Sequence, residues 1–371
     1  MVFLLNWKRF VFALLIGALC LAPCSGTLLA QDVTSFENEI PFGLRMNFFK
    51  GTGDSTRCLV TVAVNNLALL FLRGKGVYEA KYEVFLSLRE SESGFLVQRG
   101  WEKSVRVPGY DQTSLAERDD PMQNETGMLP GKYEGFIEIK DLQANTYGNG
   151  RISIIVPDFR GELPKLSTPR FLGSRPDSSL SGGTGGDPIH SAGLKYPSGK
   201  PIFLLVEVYA DSAAAPESWT IEAEVVKEMM VFPRVRQTLT DGMLTQRMVL
   251  EIPTKTMGLG SYEVEVTLRD KDYNKLARAS SFSFKVIKSA QWIEANYENE
   301  VRYLKYLATE HEMKQLLKID KDHRPAALKK FWEKADPVPA TAVNELKLLY
   351  FERIEYANNN FTTEDKDGWE T

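Results

Sequence analysis

Two periods of apolar residues divide the chain. From about Arg45 to Val156 the apolar positions alternate. Tyr82, Val84, Leu86 and Leu88 fall on one face, and Glu83, Phe85 and Ser87 fall on the other, with Phe85 the exception on a polar face. Arg57 to Val64 is rich in Val, Thr and Leu, and Gly94 to Val107 reads as a further strand pair. A period of two with one polar face predicts antiparallel strands over a one-sided core. After Ile287 the period becomes helical. Tyr297, Val301, Leu304 and Ala308 step by four, three and four. Thr309-Glu310-His311-Glu312 fits a capping box ahead of Met313, Leu316 and Leu317. Pro325 suits the first turn of a helix carrying Leu328, Phe331 and Trp332. Thr341 is placed to cap a last helix with the stripe Val343, Leu346, Tyr350, Ile354, Ala357 and Phe361.

The β region repeats itself. Gly131-Lys132-Tyr133-Glu134 matches Gly260-Ser261-Tyr262-Glu263, and Ile139-Lys140-Asp141 matches Leu268-Arg269-Asp270. Each copy is followed by another strand, Arg151 to Val156 and Ser281 to Val286. A glycine turn with a tyrosine entering a strand is similar to the tyrosine-corner region of immunoglobulin-like sandwiches. The expected fold is therefore mainly β with α: tandem immunoglobulin-like β-sandwiches followed by a C-terminal helical segment. In such a fold Tyr133 and Tyr262 occupy equivalent, buried positions. Between the copies, Ser178 to Gly186 holds too few apolar groups to offset ordering entropy. The expected division is a signal peptide over 1–30, a first sandwich over 31–160, a flexible linker over 161–199, a second sandwich over 200–287, helices over 288–361 and a short end segment over 362–371.

The first thirty residues fit a secretion signal. Lys8 and Arg9 precede the apolar run Phe10 to Ala22, which is shorter than the ~20 residues of a membrane span, and Leu28-Leu29-Ala30 offers a cleavage point. Leu21-Ala22-Pro23-Cys24 resembles a lipobox, though Pro23 fits poorly before a lipidated Cys24. The protein is thus expected to be exported, periplasmic or envelope-associated, with no transmembrane span once the signal is removed. Composition adds that the whole chain carries a formal charge of −4, and the segment 1–30 holds two basic residues and no acid. The mature chain is more acidic still, which argues against nucleic acid as a partner. Of three cysteines, two lie in the signal, so Cys58 is expected to be a buried apolar residue rather than a disulfide partner.

Catalytic and metal-binding signatures fail on inspection. The glycine-rich run at 182–186 lacks the Gly-Lys-Ser/Thr ending of a phosphate loop. His311-Glu312 opens a zinc-protease pattern, but Gln315 stands where the second His belongs. His190, His311 and His323 sit in different segments, and no Gly-x-Ser-x-Gly elbow exists. Asp365-Lys366-Asp367-Gly368 resembles part of a calcium loop, but Thr363 takes the place of its first acidic ligand. No cofactor or metal is expected. Trp101, Trp219, Trp292 and Trp369 are open to two readings, a binding face or core.

The C-terminal run carries a specific resemblance. Phe331, Trp332, Asp336, Pro337 and Pro339, then Asn344 and Glu345, then Arg353, Tyr356, Ala357 and Asn358, and finally Gly368, Trp369 and Thr371 resemble the entry to the GWxTD domain, a family of bacterial envelope proteins. Val156-Pro157-Asp158-Phe159 and Pro197-Ser198-Gly199-Lys200-Pro201 are similar to the β-rich region that precedes the motif in that family. Its members continue with Asp, then a basic strand and a Gly-x-Pro turn, so the resemblance implies a truncated chain. Thr362 to Thr371 is then expected to be poorly ordered, and the last helix less stable than the sandwiches. The family's role is not established. The leading functional expectation is a non-catalytic binding or structural module of the envelope, contacting protein or glycan, with oligomeric state open. The competing expectation is a secreted enzyme whose site needs the missing segment, with Glu352, Glu355 and Asp367 as its acid–base groups.

Overall fold

The computed structural model describes residues 34–35, 40–74, 76–113, 120–176, 195–210, 219–227, 230–231, 234–239, 244–255, 257–337, 344–361, 363 and 366–370. The first β region comprises β1 (Thr34–Ser35), β2 (Phe42–Lys50), β3 (Thr56–Val64), β4 (Leu72–Gly74), β5 (Val77–Glu90), β6 (Leu96–Val107), β7 (Met122–Met128), β8 (Gly131–Asp141) and β9 (Tyr147–Val156). The second comprises β10 (Lys165–Leu166), β11 (Arg170–Leu172), β12 (Lys195–Pro197), β13 (Ile202–Tyr209), β14 (Thr220–Lys227), β15 (Met230–Val231), β16 (Val235–Thr238), β17 (Thr245–Ile252), β18 (Gly260–Arg269) and β19 (Lys275–Ile287). Helices α1 (Ala290–Ala295), α2 (Tyr297–Arg302), α3 (Glu310–Leu317), α4 (Arg324–Lys334) and α5 (Glu345–Phe361) follow.

The strands form four sheets. One six-stranded sheet runs β1-β9-β8-β5-β4, with β6 also on β5, and faces the three-stranded sheet β2-β3-β7. In the second unit, β10-β13-β11 with β17 faces β12-β19-β18-β14-β15 with β16. Alternation explains each core. Tyr82, Val84, Leu86 and Leu88 meet Met46, Phe48, Cys58, Val60 and Val62 in the first, and Leu204, Val206 and Val208 meet Ile221, Ala223, Val264 and Val266 in the second. The fold is mainly β, tandem immunoglobulin-like sandwiches with a helical C-terminal segment.

The repeated motif builds the same corner twice. Tyr133 and Tyr262 are both buried, and each hydroxyl donates to the carbonyl four residues earlier, Leu129 O at 3.0 Å and Gly258 O at 2.8 Å. Gly131 and Gly260 precede them at φ of 153° and 127°, which only glycine adopts without strain. At the far end of each strand an Asp turns the chain. Asp141 accepts from the backbone N–H of Gln143 and Ala144, and Asp270 from those of Asp272 and Asn274.

A feature beyond the sequence expectation joins the two units. Phe49 and Leu59, on the outer face of the three-stranded sheet, pack against Leu172 and Leu205 of the second unit. The four sheets therefore stack as layers with three apolar seams. Polar bonds close the edges of this middle seam. Thr168 Oγ1 accepts from Phe48 N at 2.7 Å, Asn47 Nδ2 donates to Pro169 O at 2.9 Å, and Tyr209 Oη accepts from Lys50 N at 2.8 Å. This corrects the reading of 161–199 as a flexible linker. Its parts at 165–166, 170–172 and 195–197 are strands of the second unit, because Leu166, Phe171, Leu172 and Tyr196 have apolar seams to enter. The run Ser178 to Gly186 lies outside the described residues, as does the proposed signal segment.

Cys58 is fully buried, and burial pushes its thiol far above the ordinary range. Among the described residues no helix is long and apolar enough to cross a membrane.

Candidate functional site

The helical unit has its own core of Tyr297, Val301, Leu304, Ala308, Leu316, Leu328 and Trp332, with Phe331, Tyr350 and Phe351 packed against it. The helical stripe at 297–308 thus faces inward as its spacing requires. The capping box at Thr309 forms in full: Thr309 Oγ1 accepts from Glu312 N, and the Glu312 carboxylate accepts from Thr309 N at 3.0 Å. Lys334 adds an ion pair to Glu312 at 2.9 Å. The Lys334 contact, followed by the Thr309 bonds, holds the Glu312 carboxyl down at about 2. Pro325 sits in the first turn of α4.

A basic side chain fixes where the helices leave the sheet. Lys288 Nζ lies 2.7 and 2.6 Å from the two oxygens of the buried Glu300 carboxylate. The same ammonium sits 4.4 Å from the Phe351 ring centroid and 5.3 Å from that of Trp292. One side chain thereby ties the exit of β19 to α1, α2 and α5.

The motif residues converge on the joints between helices. Asn344 Oδ1 accepts from Lys347 N at 2.7 Å, and its Nδ2 donates to Trp332 O at 2.6 Å. Asn344 therefore caps α5 and ties it to the end of α4, a task the sequence reading gave to Thr341, which lies outside the described residues. The Trp332 ring lies tilted against Phe351 at 5.5 Å and Tyr350 at 6.0 Å, with Phe331 edge-on to it. The Tyr350 hydroxyl donates to Tyr303 O.

The end segment closes onto this cluster. Gly368 lies on the last turns of α5, where a Cβ would stand 1.9 Å from Ala357 O. Only a residue without a side chain can approach so closely. Trp369 N donates to Asn358 Oδ1 at 3.1 Å. The Trp369 ring is buried against Tyr303 at 5.2 Å and Tyr306 at 6.2 Å, and Glu370 pairs with Arg302. The expectation of a poorly ordered end is corrected over 366–370, because Trp369 supplies its own anchor. Its Nε1 is buried without a hydrogen-bond acceptor among the described residues.

The remaining positions separate cleanly. Asp336 is half-buried and Pro337 exposed at the end of α4, while Arg353 and Tyr356 are exposed on α5. Pro339 and Thr371 lie outside the described residues. Glu345 opens α5, but its side chain is not described, nor are those of Glu352 and Glu355. Asp367 is exposed and its carbonyl accepts from Glu370 N. Phe361, expected on the apolar face, is 52% exposed, with its ring 6.1 Å from that of Tyr356. The helix overshoots the core by then. Of the tryptophans with two readings, Trp219 is core of the second sandwich, Trp101 packs on the first core and Trp292 flanks Lys288.

Polar groups also gather at two other places. His311 meets Gln315 at 2.9 Å. A cavity of about 180 Å³ at the junction of the sandwiches is lined by Lys50, Asp54, Asp158, Phe159 and Arg160. Its charges are already matched: Arg160 binds Asp158 at 2.8 Å and Asp54 at 3.5 Å, and Arg160 holds the Asp158 carboxyl down at about 2.

Comparison with known proteins agrees with the motif reading. No curated protein matches the chain. Among solved structures, red sea bream transglutaminase is similar over 66% of this chain at 10% identity, with a TM-score of 0.21. The chain spans 31% of that protein's length. The model of the GWxTD domain matches residues 273–371, a span that holds β19, all five helices and every motif residue placed above. The match to the GWxTD domain thus covers the C-terminal region of the chain and agrees with the resemblance carried by the motif residues.

Proposed function

We propose that this is an exported, envelope-associated protein that acts by binding rather than by catalysis, its two sandwiches presenting sheet faces and edges to protein or glycan partners. The observation that supports this reading most is the use made of the motif. Trp332, Asn344, Ala357, Asn358, Gly368 and Trp369 are spent on helix joints, through a cap, a close backbone approach and tilted ring contacts. Residues engaged in this way position a domain; they do not face a cleft with a free acid, base or nucleophile. The seam of Phe49, Leu59, Leu172 and Leu205 supports the other half of the reading, because a fixed sandwich pair loses little freedom when it binds. Sheet edges of such units can accept a partner strand. The N-terminal signal pattern supports export.

Affinity capture from an envelope extract tests the proposal. The mature chain is compared with a version ending at Ile287, which keeps both sandwich cores and drops the helices. The shorter chain is expected to retain the partners of the longer one. If it captures none of them while still melting as a folded β protein, the sandwiches are not the binding surface.

A further inference from the structure

We propose that Lys288 is an orientation lock: its ion pair with Glu300 sets the angle at which the helical unit leaves the second sandwich, and contributes a fixed arrangement rather than net stability. The lock is independent of whatever the sandwiches bind.

The chain passes from sheet to helix almost at once. Ile287 still belongs to β19, with Pro197 of β12 beside it and its carbonyl accepting from Ser198 N at 2.8 Å. Ser289 already caps α1, its Oγ accepting from Trp292 N at 3.0 Å. Lys288 is the residue between these two fixed points. Its backbone leaves the sheet, while its side chain ends inside the helical unit. There the ammonium meets the Glu300 carboxylate of α2, the Trp292 ring of α1 and the Phe351 ring of α5. All three partners lie on helices. Turning the helical unit about residues 288–289 would therefore break the carboxylate bonds and withdraw both rings together.

This junction differs from the one between the sandwiches. There the cluster of Phe49, Leu59, Leu172 and Leu205 joins the two units. Among the described residues, the apolar core of the second sandwich and that of the helical unit have no residue in common. Apolar contact is also non-directional, whereas a charge-assisted pair has a defined geometry. Burial decides what the pair contributes. The Glu300 side chain is 7% exposed and that of Lys288 28%. Taking such charges out of water costs about as much as their attraction returns, so a well-packed apolar pair of similar size is often equally stable. What an apolar pair lacks is the requirement that an ammonium, a carboxylate and two ring faces meet in one arrangement.

Double electron–electron resonance on the mature chain tests the lock. Spin labels are placed at Lys271→Cys, on the turn between β18 and β19, and at Lys330→Cys on α4, both exposed positions. The buried Cys58 is shielded from labelling. Wild type is expected to give one narrow distance distribution. Lys288→Met alone strands a buried carboxylate, and should lower the melting temperature of the helical unit by about 10 °C or more. Lys288→Met combined with Glu300→Leu strands no charge, and should melt within about 5 °C of wild type. Its distance distribution should nevertheless broaden or split, at unchanged helical circular dichroism. The inference is overturned if the double variant keeps the wild-type distribution, because the orientation is then held elsewhere. It is equally overturned if the double variant melts well below wild type, which would make the pair a source of net stability. A broad distribution in wild type, or a Lys288→Met variant that melts as wild type does, overturns it too.

Discussion

At the scale of single residues, the family motif records steric and capping demands. Gly368 is the sharpest case, because its backbone lies against Ala357 O with no room for a Cβ. Gly368→Ala must push the end segment off α5, which also breaks the Trp369–Asn358 bond and exposes the Trp369 ring. A loss of about 2–4 kcal/mol in the helical unit is expected, from overpacking plus the lost burial. Urea unfolding followed by tryptophan emission measures it, and a change under ~0.5 kcal/mol would mean the close approach is not structural. None of this could be read from the motif letters. Asn344 and Asn358 are legible as capping residues, but which backbone group each serves depends on how α4, α5 and the end segment cross.

At the scale of elements, local chemistry was largely legible. The capping box at Thr309, the proline in the first turn of α4 and the paired tyrosine corners all rest on short-range rules that carry their own geometry. A pH effect follows from the first. Glu312 has its carboxyl held at about 2, below the ordinary value of 4.5. A depressed acid contributes stability that is fully present above its ordinary pKa and is lost as pH falls towards 2. The advantage of wild type over Glu312→Gln in helical-unit unfolding should therefore be constant above about pH 5 and shrink between 4.5 and 2. An advantage unchanged down to pH 2 would assign it to packing. The last helix offers a second test. Leu349, Tyr356 and Phe361 of α5 are 46%, 63% and 52% exposed, whereas Tyr262, Val264, Val266 and Leu268 of β18 are at 1% or less. Amides of residues 345–357 should exchange hydrogen faster than those of 262–268. Equal protection would show that the anchoring of Trp369 compensates for the exposed face.

At the scale of the whole molecule, the order of β units and helices was legible in the sequence, but the way the two sandwiches join was not. The strand Thr56–Val64 is buried on both faces apart from Arg57. Its near-continuous apolar run was therefore informative, but a run of that kind does not say what lies on the second face. Phe49, Leu59, Leu172 and Leu205 come from four separate strands, so no local pattern joins them. The segment 161–199 misled for the same reason: its strands are two or three residues long and are ordered by the seams they enter. Leu205 is fully buried in the middle seam. Leu205→Ala should cost about 2–5 kcal/mol and split one cooperative β unfolding transition into two. Calorimetry reads this directly, and a single transition in the variant would mean that the polar bonds at Thr168 and Tyr209 suffice to couple the sandwiches.

The central claim is that the GWxTD motif builds the domain while the sandwiches do the binding. Capture from envelope extract by the full chain carrying Gly368→Ala tests it most directly. The account predicts that tryptophan emission and helical circular dichroism report a loosened C-terminal unit while the same partners are captured at undiminished yield. Loss of those partners, with the β transition unchanged, would place the binding function in the motif and contradict the account.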